Sequence, residues 1–157
     1  RDDLLAKVDV AMDALVGVYQ PVSPTRLGLR YVNLIDRDAI QRDLGRAVPW
    51  ERLIAAPFAK PPGDVADLDG TNFAGEITSP LPRGAMTLRY GHLRDQAGRL
   101  QFRVDTDRYV DTAFDVRDVP ELLRTFTDDA YCLFEMIAGQ DLRDWMNLAA
   151  PAVGGSR

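Results

Sequence analysis

Four aspartates, Asp105, Asp107, Asp111 and Asp115, recur at odd positions through one alternating stretch of the chain. If that stretch is a continuous strand, its two-residue period puts all four on one face. Carboxylates in a row are the oxygen ligands that Mg²⁺ and Ca²⁺ favour. The chemistry they would carry is a metal-dependent enzyme acting on phosphate esters through Asp105, Asp107 and Asp111. The plainer expectation is a solvated sheet face neutralised by arginines, with Arg30, Arg89 and Arg103 as candidates. No Asp/Glu/Gly loop signature accompanies the row, so neither a metal nor a cofactor is expected there.

The remaining reactive side chains are few. His92 is the only histidine. It shares strand phase with Met86, Leu88 and Tyr90, which makes it a packed or rim histidine near a hairpin end rather than a general base. Cys132 is the only cysteine and lies in the apolar run Tyr131-Cys132-Leu133-Phe134. With no base nearby it reads as a small core residue. A single cysteine makes no internal disulfide, which fits a reducing, cytoplasmic setting. Phosphate-cradling glycine loops, the Gly-x-Ser-x-Gly elbow and zinc-type Cys/His clusters are absent from the sequence. No catalytic residue is assigned, and the expectation leans away from an enzyme.

The 157 residues are 46% hydrophobic and 27% charged, with a formal net charge of −5. That is ordinary globular composition. An acidic chain is a poor fit to nucleic acid, whose phosphates need clustered cations. No apolar run reaches the ~20 residues of a membrane-spanning helix, and no secretory leader opens the sequence. It begins on Arg1 rather than Met, so a segment is expected to precede it.

Elements that could hold these residues follow from periodicity. Leu4, Leu5, Val8, Met12, Leu15, Val16 and Tyr19 repeat at helical spacing over residues 2–19. Leu27, Leu29, Tyr31 and Ile35 alternate as a strand from Arg26 to Ile35, and a short helix follows over 37–45, stopped by Gly45. Residues 46–70 are broken by prolines, with Trp50, Leu53, Ile54 and Phe58 packing them inward. Three strands follow, over 72–79, 85–94 and 100–114. A final helix begins at Asp118, with Asp118 and Glu121 as a capping box, and runs to about 138. Short links between strands imply antiparallel pairing. The expected fold is α+β, an antiparallel sheet of about four strands with the N- and C-terminal helices packed on one face. It forms one domain over 1–148, with a flexible tail over 149–157. Asp95-Gln96-Ala97-Gly98 suits a three-residue hairpin loop with Gly98 left-handed. That register sets Asp95 opposite Arg99, His92 opposite Phe102 and Arg89 opposite Asp105.

Two stretches also resemble a known family. Arg26-Leu27-Gly28-Leu29-Arg30-Tyr31-Val32-Asn33-Leu34-Ile35 resembles the RxGLRYxNxI strand of a sporadically distributed family of uncharacterised prokaryotic proteins. Leu100 to Asp107 resembles its Asp-x-Asp strand, and Phe134-Glu135-x-Ile137 with Leu142 and Met146 its C-terminal helix. Phe126-Thr127 stands where members often carry Leu-His. The resemblance spans residues 4–147, the C-terminal part of a longer member, and implies no activity. Its polar members Arg30, Tyr31 and Asn33 join Arg89, His92, Asp105 and Asp107 as candidate binding residues. The expected role is a non-enzymatic binding or regulatory module of a prokaryotic intracellular protein. Its expected partner is another protein or a second copy of itself, with no membrane and no nucleic acid.

Overall fold

A tight turn at Asp95–Arg99 organises the middle of the chain. Asp95 N–H donates to Arg99 O at 3.0 Å, and Gly98 N–H returns to Asp95 O at 3.0 Å. Gly98 takes φ +78°, the left-handed conformation that glycine adopts without a Cβ penalty. The Asp95 carboxylate accepts from the Ala97 and Arg99 amides, so the loop is built around one acidic side chain. The turn joins β3 (Ala85–Arg94) to β4 (Leu100–Val110). His92 and Phe102 meet edge to face at 5.1 Å, as the expected register requires.

The computed structural model describes residues 2–19, 24–56, 58–59 and 73–149. With β1 (Leu27–Asp36) and β2 (Ala74–Pro80), the hairpin completes a four-stranded antiparallel sheet in the order β1-β4-β3-β2. The helices are α1 (Asp2–Tyr19), α2 (Arg37–Leu44), α3 (Trp50–Leu53), α4 (Val119–Ile137) and α5 (Gln140–Ala149). The chain is thus α+β with helices towards both ends, as periodicity predicts. Pro57, Pro61, Pro62, Gly63 and the expected 149–157 tail beyond Ala149 lie outside the described residues.

The chain divides into two compact units. In the first (1–32, 76–89 and 104–133), Val110, Val119, Leu122, Leu123 and Phe126 are buried together, with Val8, Met12, Leu27, Leu29 and Phe114 packed against them. The odd-one-out in this apolar layer is Arg108, 2% exposed, whose guanidinium lies 4.5 Å from the Phe126 ring centroid. Its donors reach Asp129 at 2.8 Å and the carbonyls of Arg83, Tyr109 and Ala85 at 2.6, 3.0 and 3.3 Å. A buried guanidinium is tolerated because its fork is met by acceptors on several sides.

In the second unit (33–75, 90–103 and 134–157), Ile35, Ile40, Val48, Leu53, Ile54, Phe102, Ile137 and Leu142 are buried. Asp36 caps α2 by accepting from Ala39 N–H at 3.1 Å, and Gly45 ends it at φ +65°. Around α3, Ala55 N–H donates to Ile137 O and Gly139 N–H to Leu53 O, at 2.8 and 2.7 Å. Asp141 is fully buried and answered by two arginines: Arg52 at 2.6 Å and Arg46 at 2.9 Å. The Arg46 contact falls short of hydrogen-bond geometry at Oδ2. At that separation charge attraction is sufficient to hold it.

Three expectations need correction. The third strand stops at Val110, so Asp111 and Asp115 leave the row; Asp115 instead caps the short 3₁₀ turn Val116–Asp118 by accepting from Arg117 N–H at 2.9 Å. The helix that follows is therefore started by Asp115 and that turn, not by an Asp118 box. Cys132 is exposed rather than in the core. It sits off the stripe of Phe126, Ala130, Leu133 and Ile137, which is the buried side of α4.

Candidate functional site

The sheet face turned away from Phe126 carries the charged candidates of the first unit. Arg30 clamps Asp105 with both forks of its guanidinium: Nε donates to Oδ1 at 2.8 Å and Nη2 to Oδ2 at 2.7 Å. Asp105 is 1% exposed, while the Arg30 side chain remains over half open. The expected solvated row is thus corrected: its leading carboxylate is buried under an arginine. The bidentate fork is the strong form of this ion pair. It raises the Arg30 pKa above its ordinary value through the hydrogen bond to Asp105 first and that carboxylate's charge second.

Asp107 is partly buried on the same face; a Cβ added at Gly28 would lie 3.7 Å from its Oδ1 and 3.6 Å from Tyr109 Cβ. Arg89 stands in register with Asp105, yet its Nε donates to Glu76 on β2 at 2.6 Å. The hairpin register predicts the neighbourhood but not the partner. Arg30, from the opposite side of β4, takes the carboxylate with two bonds. Thr78 and Thr87 extend the β2–β3 pairing with hydroxyls 3.0 Å apart. Arg26 covers the Tyr109 ring at 4.7 Å.

Tyr31 belongs to the other face. Its hydroxyl lies 3.5 Å from Thr127 Oγ1, which already donates to Leu123 O at 2.8 Å, so Tyr31 is the donor in that long contact. Asn33 is partly buried in the second unit. The structure therefore places Arg30, Asp105, Asp107 and Arg89 on one sheet face of the first unit and Tyr31 on the other face, while Asn33 and His92 belong to the second unit.

His92 sits in a different cluster, within the second unit. Its imidazole meets the Trp50 indole edge to face at 4.9 Å, and Arg37 lies over that indole at 5.1 Å. Phe102 closes the group from β4, 6.2 Å from Trp50. Burial pushes the His92 pKa below its ordinary value; the Arg37 charge adds to this and Glu51 opposes it. Burial thus favours the neutral imidazole. Its Nε2, Trp50 Nε1 and Arg37 Nε are all shut off from solvent and find no hydrogen-bond partner among the described residues. Sequence reasoning marks His92 and treats Trp50 only as packing; Arg37 escapes it. They come from a strand and two helix starts far apart in the chain, and no local pattern links them.

Among the described residues, no group of three His, Cys, Asp or Glu side chains is placed to hold a metal ion. No helix among them is long and apolar enough to cross a membrane. Comparison with protein-family models, with curated proteins and with solved structures found no match for this chain.

Proposed function

We propose that this chain is a non-enzymatic binding module that works through contact between protein surfaces, with a second copy of itself as the partner. The observation that carries the reading is α1. Val8 and Met12 pack into the core, but the same stripe continues through Leu15, Val16 and Tyr19, which are exposed at 40%, 37% and 75%. Val18 is exposed at 72% beside them. Residues 14–19 carry no charge. An exposed apolar helix end costs solvation free energy unless something covers it. Being uncharged, it neither selects an oppositely charged partner nor repels its own copy, and a two-fold pairing of like surfaces satisfies it.

The rival reading, a metal-dependent enzyme acting on phosphate esters through Asp105, Asp107 and Asp111, has less support. Asp105 already holds a guanidinium, and Asp111 lies past the end of β4. A cation would have to displace Arg30 from a buried carboxylate. Membership of the prokaryotic family with the RxGLRYxNxI strand, and a cytoplasmic setting, belong to the same proposal and rest on residues 26–35 and the lone Cys132.

Sedimentation velocity tests the reading. Wild-type protein should sediment as a concentration-dependent dimer, and Val16→Asp with Tyr19→Asp as a monomer of unchanged fold. A wild-type monomer at every concentration overturns it.

A further inference from the structure

We propose that Arg37, Trp50 and His92 form a binding site for a small oxyanion, either an inorganic one or the carboxylate end of a larger molecule. The argument starts from donors. The indole N–H and the guanidinium N–H can only donate, and neutral imidazole donates from one nitrogen. The Trp50 and Arg37 donors, and His92 Nε2, which joins them as a donor in the tautomer that carries its proton there, are closed to solvent within one cluster and meet no acceptor among the described residues. Native structures rarely leave buried donors unanswered, and a cluster of them calls for a guest rich in acceptors.

The character of the guest follows from the lining. Arg37 brings a full positive charge to within 5.1 Å of the Trp50 ring, and its charge acts on His92 more strongly than the opposing Glu51 carboxylate does, which favours an anion over a neutral acceptor. A metal cation is disfavoured by the same charge. An apolar guest would leave every donor unmet. The indole and imidazole are held edge to face at 4.9 Å, and Phe102 backs the imidazole at 5.1 Å, so the donors sit in an apolar wall of low polarity. Charge-assisted hydrogen bonds strengthen there. The three residues are each anchored independently: Arg37 by the Asp36 cap at the start of α2, Trp50 by the start of α3, and His92 by the β3–β4 pairing.

The test follows the Trp50 indole N–H and His92 imidazole resonances of the 157-residue chain by NMR. Sodium phosphate, sodium sulfate and sodium acetate are titrated at ionic strength matched with chloride. Both resonances should move saturably with at least one of the three, while the Trp145 indole, which donates to Asp43 at 2.9 Å, stays in place. Acetate against phosphate and sulfate separates a carboxylate guest from an inorganic one. Arg37→Gln should weaken binding by about tenfold or more. Arg37→Lys, which keeps the charge, should weaken it less, and it serves if the glutamine variant does not fold. No saturable movement below about 100 mM of any of these salts overturns the proposal. So does a shift of equal midpoint in the Arg37 variants, or a long-lived bound water at the indole N–H that no oxyanion displaces.

Discussion

Arg30 and Asp105 form a two-bond clamp in which the arginine stays open to water and the carboxylate does not. Removing the arginine takes two charge-assisted bonds from a buried carboxylate, whereas removing the carboxylate only frees a solvated guanidinium. Arg30→Gln should therefore lower the melting temperature clearly. Adding Asp105→Asn to it should recover part of the loss, which a double-mutant cycle by thermal denaturation will show. Equal, additive losses would mean the clamp carries no coupling. Calorimetric titration with Mg²⁺, Ca²⁺ and Mn²⁺ should give no binding tighter than about millimolar. Micromolar binding abolished by Asp105→Ala would revive the enzyme reading.

Phe126 is the centre of the first unit's core and the surface on which Arg108 lies. Phe126→Ala should cost about 3–5 kcal/mol in denaturant unfolding. Phe126→Leu keeps most of the volume and should cost far less, though it loses the aromatic face under the guanidinium. A loss below about 1 kcal/mol for the alanine variant would place the core elsewhere.

Two left-handed glycines separate backbone strain from collision. Gly98 has φ +78° and open space around an added Cβ, so Gly98→Ala should cost about 1–2 kcal/mol. Gly84 has φ +88°, and an added Cβ would strike the Tyr109 carbonyl and Val110 Cα on β4. Gly84→Ala should be clearly worse than Gly98→Ala by thermal melts. Equal costs would mean that β3 and β4 do not approach as described at that end.

Stability should also depend on pH through His92. Its folded pKa lies below the ordinary value, so on acidification the unfolded chain takes up the proton first. Stability is then present above the unfolded value and falls as pH drops below about 6.5. The neighbouring charges are Arg37, which strengthens the effect, and Glu51, which weakens it. Asp95, Asp115 and Asp141 have lowered pKa values, Asp115 to about 2, so their losses come only at lower pH. Melts in chloride buffer between pH 7 and pH 5 should show the decline in wild type and a flatter profile in His92→Phe. Identical profiles would refute the assignment.

Local rules made much of this legible in the sequence. The Asp95–Gly98 loop, the α2 caps at Asp36 and Gly45, and the phase of β3 and β4 follow from residue types a few positions apart. Pairings across non-adjacent segments did not follow. Arg89 stands in the expected place, but Asp105 goes to Arg30, 75 positions away, because β1 rather than β2 lies beside β4. Helical spacing from Ala130 and Leu133 turns Cys132 outward, while the apolar run around it suggests the opposite. The Arg37–Trp50–His92 cluster depends on packing within the second unit, which periodicity does not describe.

The most direct test of the binding-module account is the mass of the wild-type chain in solution. Light scattering should be recorded over a series from about 1 µM to about 1 mM, a range that covers weak as well as stable association. The account predicts a mass rising from 17.5 kDa towards twice that value, with the rise lost in Val16→Asp/Tyr19→Asp. A mass that stays at 17.5 kDa throughout, with α1 still folded, contradicts it.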